Sequence, residues 1–423
     1  MRAQIQEFLS LSLSPTAKTT YFMFAGNVTT AILAFVIIAV AARSFEPTTF
    51  GLFFALYNLI QLVSSIADLG LGSGIVNFIP KALSNDNHLE ANQYLKAGWD
   101  FILATSAIFT VVGILIPFGF VQLIFPGILP LEWIATVLAT TSFVLINFII
   151  FAFQARKEFL KSIAANTGYS FMRMLLIVFL SVVGRLDIFL AIMGYAFSSL
   201  IGVLASLPFL PSIFGLKYRP SDKQRENLLR FSSHLGLGKI AANLASRIDV
   251  GLLYPMAGAF ATAQYGIAQR VAFLYVLFSS SAGAVITPKI ASITKRTELR
   301  AYARKIILLS GLLVLSLVAG IIIADPLIPL LFGEKYITVI PVVRWMLIAT
   351  IPFLLNMTPV NLVIYFQKNS KLIGILSVIQ LIIVVLLNWF LIPKFGAYGS
   401  IIAYATGNIF VGIVTWYKVR NIL

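Results

Sequence analysis

Four basic side chains lie inside long apolar runs of this sequence, where charge is costly. They are Arg173, Lys239, Arg247 and Arg270. An ionisable side chain at mid-bilayer depth costs roughly 2.5–3.5 kcal/mol on insertion scales, so such residues usually face a water-filled cavity or a partner group. The forked guanidinium of arginine matches the oxygens of a phosphate group. We therefore expect these four side chains to line one hydrated, cationic cavity that binds an anionic ligand.

The acidic residue Asp249 lies only two positions after Arg247. Helix positions two apart point about 200° away from each other, so Asp249 is not expected to face Arg247. Lys239 and Arg247 are separated by about 80° around a helix, so both can face the same cavity. Two alternatives stay open: an arginine pairs with Asp249 inside one bundle, or Lys239 extends toward the membrane surface.

Asp249 is also a candidate ligand for a coupling cation, with Asn388 at a similar depth in a later apolar run. The coupling ion would be Na⁺ or H⁺, and we expect no other cofactor. The sequence contains no cysteine, and its two histidines, His88 and His234, are far apart. We therefore expect no bound metal centre.

The composition indicates an integral membrane protein, because 59% of the residues are hydrophobic and only 11% are charged. Twelve apolar runs reach the ~20 residues that a membrane-spanning helix requires. They are 21–42, 50–79, 98–125, 132–154, 159–183, 187–210, 231–255, 259–286, 303–331, 338–366, 371–392 and 397–418. The sequence predicts an all-α fold of twelve spans, with a kink near Gly70 to Gly74 and a helix end at Asp325-Pro326.

The placement of Lys and Arg predicts the orientation, since loops on the cytoplasmic side are rich in both. With a cytoplasmic N-terminus, most Lys and Arg residues fall on the inside. The exceptions at the outside ends are Arg43, Arg185, Lys335, Arg344 and Lys394. Both termini are therefore expected in the cytoplasm. The net charge of +16 follows from this topology and from contact with anionic lipids, so we expect no nucleic-acid partner.

Short matches between the two halves suggest a duplicated six-helix unit. For example, "TFGLFFALYNLI" (49–60) resembles "QYGIAQRVAFLY" (264–275), and "FQARKEF" (153–159) resembles "FQKNSKL" (366–372). We expect an N-terminal bundle over 1–210, a cytoplasmic linker over 211–230 and a C-terminal bundle over 231–423. Ser221 and Gln224 form a capping-box pattern that would open a helix running into the seventh span.

Four stretches together resemble the polysaccharide transport family, the Wzx-type O-antigen flippase branch of the multidrug/oligosaccharidyl-lipid/polysaccharide exporter superfamily. They are "ARSFEPTTFGLFFAL" (42–56), "DLGLGSGIVNFIPK" (68–81), "RIDVGLLYPMAGAFATAQYGIAQRV" (247–271) and "LFGEKY" (331–336). The resemblance implies two pseudo-symmetric six-helix bundles around a central cavity. It also implies transport of a lipid-linked sugar to the outer leaflet of the cell membrane.

The expected function is that of a flippase rather than an enzyme, with a polyprenyl-diphosphate-linked oligosaccharide as ligand. The substrate-binding residues would be Arg173, Lys239, Arg247 and Arg270. We expect a monomer in the inner membrane, in contact with membrane lipids and with polysaccharide-assembly proteins as candidate partners. The alternatives are a cation-coupled multidrug antiporter, for which an acidic cavity is expected, and a membrane glycosyltransferase or polymerase.

Overall fold

The computed structural model describes residues 15–213, 215–293 and 295–422, and every regular element in that part of the chain is helical. Long apolar runs favour this outcome, because a helix satisfies all of its backbone hydrogen bonds internally in lipid. The first half contains eight α-helices: α1 Pro15–Ser44, α2 Pro47–Ala67, α3 Leu71–Ser84, α4 His88–Leu115, α5 Phe118–Ile124, α6 Pro130–Ala155, α7 Phe159–Val182 and α8 Ile188–Ser206. Three short 3₁₀ turns follow: Leu207–Phe209, Pro211–Ile213 and Leu216–Tyr218.

The second half begins with a long helix, α9 Asp222–Ser292, which bends at Gly258. We call residues 222–257 its first arm and residues 259–292 its second arm. The helices that follow are α10 Arg296–Ile322, α11 Ala324–Phe332, α12 Ile340–Leu355, α13 Met357–Asn361, α14 Ser370–Phe395 and α15 Ala397–Val419. A 3₁₀ segment, Glu334–Val339, precedes α12, and a π-helical segment, Leu362–Phe366, follows α13.

Ten helical segments in the described chain are long and apolar enough to cross a membrane, and each corresponds to one of the predicted spans. The other two predicted spans, 231–255 and 259–286, fall on the two arms of α9. The all-α membrane fold is therefore confirmed, whereas the count of twelve spans is matched by ten such segments and one long bent helix. The tenth predicted span, 338–366, is helical but interrupted near Asn356, where α12 ends and α13 begins.

The predicted kink near Gly70 is confirmed as a full break between α2 and α3. Leu69 and Gly70 both adopt left-handed backbone angles, with φ of 46° and 77°. Glycine suits this position because it lacks the Cβ atom that disfavours positive φ. Gly236 of α9 packs against the backbone of Leu69, and a Cβ atom at Gly236 would lie 2.5 Å from its carbonyl oxygen. The break is thus held by a backbone-to-backbone contact.

Two other predicted helix ends are close to those observed. The helix expected to end at Asp325-Pro326 ends three residues earlier, at Ile322. Pro326 instead lies in the first turn of α11, which begins at Ala324, and proline is tolerated at that position. The capping box at the start of α9 is confirmed. The Ser221 hydroxyl accepts a hydrogen bond from the Gln224 amide at 3.3 Å, and the Gln224 side chain accepts one from the Ser221 amide at 2.8 Å.

The chain forms two compact units whose boundaries cut through helices. The first unit comprises the described residues up to Val40 together with Val63–Pro117 and Leu129–Ile240. The second unit comprises Ala41–Leu62, Phe118–Ile128 and the described residues from Ala241 onward. The division into 1–210, 211–230 and 231–423 was inferred from sequence duplication, which is a different property from compactness, and it stays a prediction.

In the second unit, two of the motifs that carry the family resemblance contact each other. Arg43 donates hydrogen bonds to the carbonyl oxygens of Leu330 and Leu331, and Lys335 donates one to the Arg43 carbonyl at 2.9 Å. The rings of Phe50 and Tyr336 meet edge to face with their centroids 6.0 Å apart. The stretches 42–56 and 331–336 therefore form one structural contact.

The start of α2 and the second arm of α9 approach each other at a glycine in the same unit. A Cβ atom at Gly51 would lie 1.9 Å from the carbonyl oxygen of Ala259. No larger residue fits there without moving the backbone of one helix. This contact holds α2 beside α9. In the site described next, α9 provides the charged groups and α2 provides Tyr57 and Asn58.

Candidate functional site

A polar cavity of about 390 Å³ lies within the second unit. Its walls come from α2, from both arms of α9, and from α12, α14 and α15. The lining includes two arginines, one aspartate, four amide side chains and several aromatic rings. These residues are Arg247, Arg270, Asp249, Asn58, Gln269, Gln380, Asn408, Tyr57, Phe273, Phe353 and Tyr404. A volume of this size is typical of a site that encloses a small molecule or one portion of a larger ligand.

Arg247 reaches the cavity from the first arm of α9 and is half-buried. Its Nη1 atom donates a long hydrogen bond of 3.4 Å to the Oδ1 atom of Asn58 on α2. Because this contact uses one donor and a guanidinium has five, the remaining N–H groups of Arg247 are available to an anion.

Arg270 enters the same cavity from the second arm of α9. Its guanidinium carbon lies 5.6 Å from the ring centroid of Tyr57 and 5.8 Å from that of Phe273. Its buried Nε atom has no hydrogen-bond partner among the described residues. Aromatic rings stabilise a cation electrostatically but accept few of its hydrogen bonds. Arg270 thus combines a fixed position with unused donors.

Asp249 is only 3% exposed and accepts a hydrogen bond from the Tyr265 hydroxyl through Oδ2. Its Oδ1 atom has no partner among the described residues. No ion pair joins Asp249 to Arg247 or Arg270 in the described part of the chain, which agrees with the predicted divergence of positions 247 and 249 on one helix. The cavity therefore carries two cationic side chains against one acidic group.

Polar groups continue from the cavity into the core of the second unit. Tyr404 on α15 lines the cavity together with Asp249 and lies close to Thr350 on α12. Asn388 on α14 is fully buried, and neither polar atom of its amide has a partner among the described residues. Asn388 lies one turn beyond Val384, which lines the cavity, but is not itself a lining residue. A buried amide without partners is costly, which keeps Asn388 a candidate ligand for a small cation.

Arg173 lies in the first unit, in different surroundings. It is 3% exposed, and its guanidinium carbon lies 4.2 Å from the ring centroid of Tyr195 and 5.4 Å from that of Tyr169. We call Arg173, Tyr169 and Tyr195 the tyrosine cage. The Nε and Nη1 atoms of Arg173 have no hydrogen-bond partner among the described residues.

The four predicted substrate-binding cations therefore differ in their placement. The structure brings Arg247 and Arg270 to one cavity, together with Asp249, and places Arg173 in the tyrosine cage. Lys239 lies on the helical backbone of α9, but its side chain is outside the part of the chain that the structure describes. A common cavity for all four cations stays a prediction.

Several lining residues were not singled out by the sequence analysis. Tyr57, Phe273 and Tyr404 come from three helices, and the apolar runs that contain them hold many other aromatic residues. Tyr57 could have been predicted from its neighbour Asn58. A polar residue in the middle of a span usually lies on the helix face that borders a cavity. Residues meeting from distant helices leave no such local pattern.

Comparison with known families gives a match over most of the chain. Residues 16–294 match the family described as "Polysaccharide biosynthesis protein". No curated protein matches the chain in sequence.

Solved structures share the fold at low sequence identity. A multidrug resistance MATE family transporter of the MOP superfamily, in an inward-facing conformation, is 16% identical, with a TM-score of 0.76 over 92% of this chain and 94% of that chain. The lipid II flippase MurJ, in an inward closed conformation, is 14% identical, with a TM-score of 0.76 over 94% and 87%. A MOP superfamily transporter from Pyrococcus furiosus is 15% identical, with a TM-score of 0.61 over 96% and 94%. These solved transporters and this flippase therefore share the fold of the chain.

Proposed function

Because this chain belongs to the polysaccharide biosynthesis protein family and has a fold shared by MATE transporters and the flippase MurJ, we propose that it is a flippase for a lipid-linked sugar. The ligand is a polyprenyl-diphosphate-linked oligosaccharide, and it moves from the cytoplasmic to the outer leaflet of the inner membrane by alternating access. The observation that carries this proposal is the cavity in which Arg247 and Arg270 outnumber Asp249.

The charged head of such a ligand needs this kind of surface. Moving an unpaired diphosphate into hydrocarbon would cost tens of kcal/mol, so its passage requires donors that replace water. The unused N–H groups of Arg247 and Arg270 are suitable donors for phosphate oxygens. Amides such as Gln269 and Gln380 can hydrogen-bond sugar hydroxyls, and aromatic rings such as Tyr57 offer them an apolar face. In this proposal Arg173 and Lys239 bind the ligand at other points of its path.

A cation-coupled multidrug antiporter is the second candidate, because MATE transporters share the fold. Among the described residues, no acidic side chain forms an ion pair with Arg247 or Arg270. These two arginines would repel a cationic drug, so the net positive charge of the cavity favours the anionic ligand. One of the similar structures, the Pyrococcus furiosus transporter, is itself described as having a binding pocket of reverse polarity that suggests a different function.

Asp249 supplies the coupling in this proposal. Its free Oδ1 atom can bind Na⁺ or a proton. Asn388, which lies on α14 one turn beyond the lining residue Val384, can provide a second ligand for the cation. Binding of a cation would neutralise Asp249 and strengthen the attraction of the two arginines for the diphosphate. Loss of the cation would weaken it, which links ion movement to ligand release.

The proposal is tested by reconstitution in liposomes with a fluorescent polyprenyl-diphosphate sugar. Each charge-assisted hydrogen bond to the diphosphate is worth ~1.5–3 kcal/mol, so the double variant Arg247→Ala/Arg270→Ala is expected to lose transport by more than about a hundred-fold. The matched control is Arg185→Ala/Arg296→Ala, which removes two exposed arginines, and it should transport normally. Normal transport by the first double variant, at equal protein in the membrane, would refute the mechanism.

A further inference from the structure

A second cavity, of about 330 Å³, lies between α7 and α8 in the first unit. The residues that line it recur at helical spacing on both helices, and most of them are small. The small residues are Ala164, Ala165, Gly168, Ser198, Gly202, Ala205 and Ser206. We call this cavity the α7–α8 groove. Small residues usually let two membrane helices pack in direct contact. Here the two helices leave a groove instead, so the small residues shape a space that another molecule can fill.

The groove is open along its side. Gly168 is exposed, and no atom lies within 4 Å of the position that its Cβ atom would take. Met172 and Ile201, which also line the groove, are 37% and 44% exposed. In a membrane-spanning helix pair, apolar side chains exposed in this way face the hydrocarbon of the bilayer. The molecule that fills the groove therefore enters from the lipid phase.

The length of the groove matches one leaflet. Along α7 it extends from Lys161 to Met172, and at ~1.5 Å per residue this distance is roughly 16 Å. The hydrocarbon core of a bilayer is ~30 Å thick, so one leaflet provides about 15 Å. An acyl chain of an ordinary phospholipid spans one leaflet, whereas the longer chain of a polyprenyl carrier would extend beyond the groove.

One end of the groove carries positive charge. The Lys161 ammonium lies 5.2 Å from the ring centroid of Phe209, and both residues line this end. Lys161 and Arg156 each contact Glu158, at 2.9 and 3.0 Å, and Lys157 lies between them in the turn from α6 to α7. Three cations against one carboxylate leave an excess of two.

The carboxyl group of Glu158 is negatively charged at neutral pH. Burial alone would raise the pKa of Glu158, but its ion pairs with Lys161 and Arg156 outweigh burial and lower the pKa below its usual value. The α6–α7 turn lies on the side of the membrane that the Lys and Arg distribution predicts to be cytoplasmic. A positive, lipid-facing groove end at that surface is suited to an anionic headgroup.

We infer that the α7–α8 groove is a binding site for an anionic phospholipid of the cytoplasmic leaflet. One acyl chain lies along Ala164, Gly168 and Gly202, and the phosphate contacts Lys161 and Lys157. The groove borders the tyrosine cage, because Tyr169 lines it. The inference nevertheless stands independently of the proposed flippase function, since the residues that hold the lipid belong neither to the cage nor to the polar cavity.

The test is native mass spectrometry of the purified full chain with phosphatidylglycerol and with phosphatidylethanolamine. The wild-type protein is expected to retain phosphatidylglycerol about five-fold more strongly for each unpaired cation at the site. Gly168→Leu should abolish this retention because the leucine side chain enters the open groove. The control is Gly311→Leu on α10, where the glycine is likewise exposed with no atom near its Cβ position, and it should retain the lipid.

A second variant tests the headgroup. Lys161→Gln is expected to lower the preference for phosphatidylglycerol about five-fold, since the groove remains and one of the two excess cations is lost. If Gly168→Leu does not fold, Ala164→Leu fills the same groove from another exposed position. The inference fails if the groove-filling variant retains phosphatidylglycerol as well as Gly311→Leu does, or if the wild type does not distinguish the two headgroups. Displacement of phosphatidylglycerol by a lower concentration of polyprenyl phosphate would assign the groove to the carrier lipid and overturn it as well.

Discussion

The tyrosine cage and the polar cavity each hold an arginine against aromatic rings, but the arginine is buried in the cage and half-buried in the cavity. Arg173 is 3% exposed, and its guanidinium carbon lies 4.2 Å from the ring centroid of Tyr195 and 5.4 Å from that of Tyr169. Arg270 has rings at 5.6 and 5.8 Å and lines a cavity of about 390 Å³ with a second arginine, an acid and four amides. The first arrangement is closed around its cation, and the second leaves room for a ligand.

The comparison shows that depth in the membrane does not by itself define a binding residue. A cation at mid-depth needs compensation, and either a pair of aromatic faces or a hydrated cavity can provide it. Only the cavity also offers space and a nearby acid, Asp249, that can change the net charge. The predictions below test whether this difference in surroundings corresponds to a difference in role.

The largest effect is expected from removing a ring of the tyrosine cage. Tyr195 is 2% exposed, so Tyr195→Ala leaves an empty space beside a buried cation, and deletions of this kind cost ~3–5 kcal/mol of folding free energy. Tyr57→Ala removes the matching ring from Arg270, but the space joins an existing cavity, so the loss should be much smaller. Thermal unfolding of both variants in one detergent measures the difference.

Ligand binding separates the two variants further. Tyr57→Ala should weaken binding of the lipid-diphosphate sugar, because Arg270 loses the ring that positions it. Equal destabilisation of Tyr57→Ala and Tyr195→Ala would contradict the distinction between the two sites, since the cavity would then be as closely packed as the cage.

An intermediate effect is expected at Asp249, the acid that distinguishes the cavity from the cage. Asp249→Asn raises the net charge of the cavity and should increase affinity for the anionic ligand by at least about five-fold, the lower end of typical coupling between sites. Transport by this variant should no longer respond to a Na⁺ or a proton gradient. Binding and flux assays in liposomes, with each gradient imposed separately, measure both quantities.

Either of two results would count against a coupling role for Asp249. One is an unchanged response to both gradients in the Asp249→Asn variant. The other is a fall in ligand affinity, which would mean that the carboxylate itself holds the ligand. Asn388→Ala sharpens the test, because loss of a response to Na⁺ alone would identify a sodium site that includes this buried amide.

The sequence predicted those features that depend on local patterns. Apolar runs located the spans, the glycines after Asp68 located the α2–α3 break, and Ser221 with Gln224 located the start of α9. Tyr169 precedes Arg173 by four residues, so one ring of the cage could also be inferred from helical spacing. Tyr195 could not, because it reaches Arg173 only when α8 packs against α7.

The same limit explains why the four cations looked alike in the sequence. Their types and depths are similar, and what separates them is the set of side chains brought in by other helices, such as Asn58 from α2 beside Arg247. These tertiary partners leave no mark in the run that contains the arginine. Charge and depth thus predicted that a site exists, and packing decided which residues share it.

The smallest effect on transport is expected from Arg173→Leu. The guanidinium is enclosed by two tyrosine rings and makes no ion pair among the described residues, so removing it should reduce transport by only about tenfold. This is the loss of a single charge-assisted hydrogen bond at the low end of its ~1.5–3 kcal/mol range. Stability should change little, since the lost attraction to the rings is offset by the relief of a buried charge. Flux in liposomes and thermal unfolding are measured on the same preparation.

Arg173→Lys is the matched control, because it keeps the charge but loses the planar group that stacks on Tyr195. If the cage is only structural, Arg173→Leu and Arg173→Lys should both transport, and Arg247→Leu should not. If Arg173→Leu is folded and inserted but as inactive as Arg247→Leu, while Arg173→Lys is active, then a positive charge in the first unit is needed for transport. The cage would in that case open to the ligand during the cycle, and Arg173 would belong with Arg247 and Arg270 as the sequence predicted.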